Sequence, residues 1–394
     1  MRDGWVETNL GEIADVIGGG TPSTTIPEYW DGKIVWLTPT EITSQDGKVV
    51  SDSIRKITDL GFKNSGAQLL PKDSVILTSR ASVGYVALAG QDLCTNQGFQ
   101  SLIPKQSVQP KFLMFWIQQN RSEFESRSAG STFKEISKSN VKSIKLNLPP
   151  LSEQKRIVDL ISSIDSYIEA LQQQLESAKR SRNAVLHELL TAGGDDWVDT
   201  NLAEVAVLNP SEPALSNTDH FAPMDAVHVG KRWVQYTEER RDRNGARARA
   251  GDVLFARITP CLENGKVAQV QSELQRCGGS TEFIVVRGTE KCTSDFLYFW
   301  CTLKENRDKA AELMTGTTGR QRLSWQDLGS LQLWLPSIKE QEQVVSIISE
   351  FDSLIDSTEN AISQAQNLRS ALLSDLLSGE HEIPASYDKV IGAA

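Results

Sequence analysis

Residues 148–190 read LPPLSEQKRIVDLISSIDSYIEALQQQLESAKRSRNAVLHELL. The stretch opens on a Pro-Pro stop and a Ser152-Glu153-Gln154 start signal, then runs free of Gly and Pro. Its apolar positions are Ile157, Ile161, Ile164, Ile168, Leu171, Leu175, Ala178, Arg182, Val185 and Leu189, at steps alternating four and three. That is the 3.5-residue period of a coiled coil. Residues 335–377, LPSIKEQEQVVSIISEFDSLIDSTENAISQAQNLRSALLSDLL, repeat the pattern with Val344, Ile348, Phe351, Ile355, Thr358, Ile362, Ala365, Arg369, Leu372 and Leu376. Every seam residue has a partner 187 positions on, including the unexpected arginines Arg182 and Arg369.

The repeat extends outward from the helices. Residues 5–16, WVETNLGEIADV, match residues 197–208, WVDTNLAEVAVL, at seven of twelve positions. FLMFW at 112–116 answers FLYFW at 296–300, and SNVKSIKLNLPPL answers WQDLGSLQLWLPSI before each helix. Internal duplication of this length defines the architecture before any residue is assigned a role. The boundaries expected are a first globular domain at 1–147, a helix at 148–192, a second globular domain at 193–334, a helix at 335–380 and a loose tail at 381–394. Short β-like runs at 33–37, 74–78, 253–256 and 282–286 alternate with Gly, Pro, Asn and Asp turns. One helical stretch per domain is expected, at 111–120 and 295–306. This mixture predicts an α/β fold with a largely antiparallel sheet in each globular domain. Helices of about 37 residues would be roughly 55 Å long. A two-fold arrangement of head-to-tail repeats predicts that they form an intramolecular antiparallel coiled coil holding the domains apart. The plain alternative is that each helix packs on its own domain. The seam arginines are expected near fraying helix ends, or where a partner enters.

Composition limits the chemistry. The chain has 394 residues, 39% hydrophobic and 23% charged, with a net charge of -10. Such an acidic chain is a poor non-specific DNA binder by itself, because Lys and Arg contacts to phosphate supply that affinity. No apolar run reaches membrane-spanning length, and the first residues do not resemble a signal peptide. The five cysteines show no metal spacing and suit reduced thiols in a cytoplasmic protein. The glycines at 18–20 are followed by Thr21-Pro22, without the Gly-Lys-Ser/Thr of a phosphate loop, so a tight turn is expected. None of the four histidines has a nucleophile or metal pattern beside it. No Asn/Asp-Pro-Pro-Tyr/Phe motif of an amino-methyltransferase is present. No catalytic residues and no metal site are expected, and the chain itself needs no cofactor.

Binding chemistry is present. Lys231, Arg232, Arg240, Arg241, Arg243, Arg247, Arg249 and Arg257 form a local basic run, and arginines serve as phosphate clamps or guanine readers. Arg80 ends VILTSR as Arg257 ends VLFAR, which suggests that they are counterparts. Thr21, Ser23, Ser82, Asn96 and Gln97 lie in polar loops, and Asn or Gln can read adenine. The loops with Ser131 and Lys134, and with Arg320, Gln321 and Arg322, combine Gly, hydroxyl and basic residues as phosphate-approaching loops do. For each of these, a solvated surface loop is the plain alternative.

Together these features resemble one family, the DNA-specificity subunits of type I restriction–modification systems. The resemblance is carried by Trp5-Val6 through Leu10-Gly11-Glu12, by Gly130 and Ile136, and by Leu148-Pro149-Pro150-Leu151-Ser152-Glu153-Gln154-Lys155-Arg156-Ile157 with its second copy at Leu335–Val344. The second copy departs in having Ser337-Ile338-Lys339 and Glu342-Gln343. The resemblance implies that each globular domain reads one half of a bipartite target in double-stranded DNA. It implies helices that fix the spacing and dock two methyltransferase subunits, which bind S-adenosylmethionine and methylate adenine by base flipping. Restriction subunits using ATP and Mg²⁺ would complete the complex. The other readings are a coiled-coil scaffold without a DNA role and a self-contained methyltransferase or nuclease.

Overall fold

The structure is a computed structural model, and it describes residues 2, 4–130, 134–194, 196–214, 220–239, 245–317 and 319–388. The chain divides into two compact units, one comprising Met1–Leu171 with Ala361–Ala394, the other Gln172–Asn360. The first long helix spans Leu151–Thr191 and the second Ile338–Ser378, each of 41 residues and about 60 Å. The first begins directly after Pro150, one residue before Ser152, and the second after Pro336-Ser337. The fold is mixed α/β, as expected.

In unit 1 the chain enters through strand Val6–Asn9, which pairs antiparallel with Lys145–Leu148 just before the first long helix. Val198–Asn201 and Gln332–Leu335 form the same ribbon in unit 2. The repeated WV-x-TNL sequence is thus a clasp that closes each globular part where the helix leaves it. In unit 1, Asn9 Oδ1 accepts the Glu12 N–H at 3.1 Å and Thr8 donates to Glu12, which starts the short helix Leu10–Ile13.

Each globular part holds two small sheets. Unit 1 has a five-stranded sheet in the order Ala14–Gly18, Gln100–Pro104, Val75–Leu77, Val86–Ala89 and Val49–Val50. A three-stranded sheet combines Arg55–Ile57, Trp30–Leu37 and Cys94–Thr95. Unit 2 has Ala206–Leu208, Phe283–Gly288, Val253–Ala256 and Val267–Gln269 in one sheet. Its other sheet has Glu238–Glu239, His220–Ala222, Arg276–Gly279 and Ala246–Arg249. Pairing is antiparallel except for 36–37 with 94–95, 49–50 with 88–89, and 220–222 with 277–279. A helix with a continuous apolar run packs on the larger sheet of unit 1 and its repeat on the Val253–Ala256 sheet, Pro110–Gln119 and Ser294–Thr302 respectively. Both are buried on all sides through FLMFWI and FLYFWC, so periodicity alone could not orient them.

Within each unit two long-helix segments run antiparallel. In unit 1, Asp165 meets Arg369, while Arg156 reaches Ile383 and Asp388 beyond the end of the second helix. In unit 2, Arg182 meets Asp352 and Lys179 meets Glu359, so stepping back along one helix means stepping forward along the other. Ile157 and Ile161 join the unit 1 core with Leu373, Leu376 and Leu377, and Val344 and Ile348 join the unit 2 core with Leu186 and Leu190. Ile168 and Ile355 are also buried; Ile164, Leu171, Leu175, Phe351, Ile362 and Leu372 are half-buried.

The seam arginines do not fray. Arg182 Nε donates to Asp352 at 2.6 Å, with its guanidinium 5.8 Å from the Phe299 ring. Arg369 pairs with Asp165 and lies 5.4 Å from Phe115. Each arginine is held between a carboxylate and the edge of the buried aromatic helix, which offsets the cost of a charge in a seam. The end of the chain is not loose up to Asp388 either: Ile383 is buried, and Asp388 accepts two hydrogen bonds from Arg156 at 2.8 and 2.9 Å.

Candidate nucleic-acid interface

Strand Val75–Leu77 in unit 1 and strand Val253–Ala256 in unit 2 each end at a junction that collects the polar loops. In unit 1, Ser79 N–H donates to Gly98 O at 2.8 Å and Ser79 O accepts from Ile136 N–H at 2.9 Å. Here Ala81 N–H reaches Lys134 O, Gly98 N–H closes a turn on Asn96 Oδ1 at 2.8 Å, and Thr21 pairs with Gln97. Thr21, Ser82, Asn96, Gln97, Lys134 and Arg80 therefore share one edge of the unit. Ser23 bonds Thr25 and the Trp30 indole nearby in the chain. Ser131 lies outside the described residues. Asn96 Oδ1 is engaged by its own turn, which leaves its amide as the group it can offer.

The junction in unit 2 has the same backbone. Arg257 N–H donates to Glu282 O at 2.9 Å and Arg257 O accepts from Leu323 N–H at 2.8 Å. The counterpart of Arg257 is therefore Ser79, and that of Arg80 is Ile258. The similar ends of VILTSR and VLFAR suggest a register one residue off. Arg80 forms a forked pair with Glu135, at 3.0 and 2.7 Å, while Arg322 pairs with Glu282 at 2.8 Å. Since Glu135 and Arg322 occupy matching bridge positions opposite Arg80 and Ile258, the two junctions carry opposite charge at one framework site. Gln321 O accepts the Thr259 N–H and Gln321 N–H donates to Thr259 Oγ1, both at 3.1 Å, and Arg320 is exposed beside it. Arg247 donates to Glu212 O at 2.8 Å at the same edge. Arg240, Arg241 and Arg243 lie outside the described residues.

Lys231 and Arg232 are placed elsewhere. Lys231 Nζ bonds Asp356 and Glu359 on the second long helix, both at 2.6 Å. Hydrogen bonds from Lys231 and then Lys179 hold the Glu359 carboxyl below its ordinary value. Arg232 bonds Asp295 at 2.7 Å, Gln269 at 2.9 Å and Ser349 at 3.2 Å. Both cations fasten a loop to a helix, so they are not available to phosphate. A run of basic residues gave no sign of this, because the acids that neutralise it lie 63 to 128 residues further along the chain.

Two functional groups of the framework escaped sequence reading. Gln154 and Gln341 are fully buried, and each makes three hydrogen bonds. Gln341 Oε1 accepts Thr293 N–H at 2.9 Å, and its Nε2 donates to Lys291 O at 2.9 Å and Pro336 O at 3.0 Å. Gln154 repeats this with Gln109 N–H, Ser107 O and Pro149 O. The Gln of each helix start thus locks the helix to the N-cap of the buried aromatic helix. Their duplication at 187 residues was the available signal.

Catalytic chemistry finds little support. No cluster of His, Cys, Asp and Glu able to hold a metal occurs among the described residues. Burial pushes the Cys94 thiol up to about 11 and the Cys277 and Cys292 thiols up to about 12, which keeps them protonated and unreactive. The glycines at 19 and 20 pack against Asn96 O and Gly66, where a Cβ would lie 2.0 and 2.2 Å away. They serve close packing, not a nucleotide. No helix among the described residues is long and apolar enough to cross a membrane.

Comparison with known proteins agrees with this framework. The chain is similar to the MjaIX type I restriction enzyme specificity subunit of Methanocaldococcus jannaschii, 38% identical over 195 residues, or 49% of this chain and 43% of that one. The match thus spans less than half of that relative's length. It is also similar to the EcoKI specificity subunit of Escherichia coli, 23% identical across 99% of this chain and 95% of the relative. Among solved structures, the type I restriction–modification S subunit from M. genitalium matches with a TM-score of 0.57 at 17% identity, over 95% of this chain and 96% of that one. A chain from a type I R-M system structure matches with a TM-score of 0.64 at 18% identity, over 96% of this chain and 98% of that one. At such identities these structures establish the shared fold. The family model described as type I restriction modification DNA specificity domain matches residues 2–180 and 229–367, and the chain belongs to that family.

Proposed function

We propose that this chain is the non-catalytic subunit that gives a type I restriction–modification complex its DNA sequence specificity, each globular part reading one half of a bipartite target. The observation that carries this reading is the pair of junctions: one backbone framework, built twice, bearing different polar and charged side chains. Two modules that perform one operation on different sequences need that combination. The methyltransferase subunits, two by the two-fold repetition of the helix surfaces, supply S-adenosylmethionine and the adenine chemistry. Restriction subunits supply ATP- and Mg²⁺-dependent cleavage. The long helices set the spacing of the half-sites and offer the docking faces. The net charge of -10 fits a reader that depends on its partners for much of the phosphate contact.

The test is reconstitution. The purified chain should transfer no methyl group from S-adenosylmethionine to DNA. Mixed with its methyltransferase subunits it should direct methylation to adenines in a two-part sequence with a fixed gap. Methyl transfer by the chain alone, or transfer by the mixture without sequence preference, would overturn the reading.

A further inference from the structure

Arg257 differs from the ion-paired arginines of unit 2. Arg182, Arg232, Arg287 and Arg322 each meet a carboxylate. Arg257 has no side-chain hydrogen bond or ion pair among the described residues, and its Nε is shielded from solvent without a partner. It lines a cavity of about 350 Å³ together with Asn209, Glu212, Arg247, Thr281 and Phe283. The carboxylate of this cavity, Glu212, is engaged by Arg287 at 2.6 Å, and the Glu212 carbonyl takes Arg247. Two guanidinium groups thus face one cavity without a carboxylate of their own. A cation in such a place favours a ligand group with paired acceptors.

The backbone of Arg257 is fixed on both sides, by Glu282 O and Leu323 N–H, so its side chain starts from a set position. A guanidinium on a rigid element can discriminate between ligands, because the geometry of its fork is not relaxed by loop motion. At the matching position in unit 1, Ser79 Oγ is likewise buried and without a hydrogen-bond partner. Buried polar atoms nearly always find partners. Their lack of one at the same framework position in both units, with different side chains, marks that position as the variable element of a common reader.

We propose that Arg257 determines specificity in unit 2 by donating to an acceptor pair on the DNA, with the cavity as its receiving site. This rests on the DNA-reading function proposed above. Two parts of DNA offer such a pair: the O6/N7 edge of guanine and the oxygens of a phosphate.

The experiment uses the full chain assembled with its methyltransferase subunits, and duplexes in which each base pair of the target is varied in turn. Arg257→Gln and Arg257→Lys are compared with the unaltered chain, and hydrogen exchange checks that unit 2 is intact. Binding by Arg257→Gln should weaken about 10- to 100-fold. If the acceptor is guanine, discrimination disappears at one G·C pair of one half-site, and Lys fails to restore it. If it is phosphate, the loss is uniform over sequences, the salt dependence falls by about one contact, and Lys restores most of the binding. The first result supports the proposal; the second, a contact that carries no sequence information, overturns it. Unchanged binding and discrimination by Arg257→Gln, or equal losses at both half-sites, would overturn it. Should the unaltered complex itself show no sequence preference, the DNA-reading function fails instead.

Discussion

Replacing Arg287 by Ala is expected to destabilise unit 2 by about 3–5 kcal/mol, the largest effect of any single change considered. Arg287 donates to both oxygens of Asp252 at 2.7 Å and to Glu212 at 2.6 Å. The Asp252 side chain is only 1% exposed, so water cannot take over when the guanidinium is removed. The carboxylate would keep one backbone donor, Arg249 N–H at 2.8 Å, against the desolvation cost of a full charge. Domains are stable by only about 5–15 kcal/mol, so the loss takes much of the margin. Pairing the change with Asp252→Asn should recover a large part of it, since the stranded charge causes most of the damage. Hydrogen exchange resolved by unit would measure this, with faster exchange across the Val253–Ala256 and Phe283–Gly288 strands. A cost below about 1 kcal/mol, or no recovery in the double variant, would show that the triad is dispensable.

The second expected effect is at Gln341. Gln341→Leu keeps the volume but strands the carbonyls of Lys291 and Pro336 and the Thr293 N–H. A buried group left without its partner costs about 1–3 kcal/mol, and relaxation spares part of the sum, so about 3 kcal/mol is expected. The loss should appear where the second long helix meets helix Ser294–Thr302. Gln154→Leu should produce the same loss in unit 1, between the first long helix and helix Pro110–Gln119. Because the two locks share no partner, the double variant should show additive losses in chemical denaturation. Strong coupling between them would contradict their independence.

How far the sequence could be read follows from what kind of signal each feature leaves. The long helices announce themselves because one seam repeats every 3.5 residues and then recurs 187 positions later. Their antiparallel pairing follows from the repeat. The partners of the seam arginines do not, because Asp165 and Asp352 sit just off the apolar positions and look like ordinary surface acids. Gln154 and Gln341 were legible only as part of a helix start, since their bonds reach across to a different helix. At the candidate interface, local resemblance put Arg80 opposite Arg257. The hydrogen bonds shift that register by one and bring Ser79 to the matching place. Lys231 and Arg232 read as basic surface because charge counts within a window miss acids on a distant helix. The sequence thus showed the duplicated frame, while the chemistry at each junction depended on contacts between remote segments.

The most direct measurement of the central claim is a map of methylated adenines in the host genome, with this gene present and removed. The account predicts a bipartite, asymmetric motif with a fixed gap that disappears when the gene is lost. It also predicts that substitutions confined to one unit alter only one part of that motif. A methylation map unchanged by removal of the gene, or a motif without two separable parts, would contradict it.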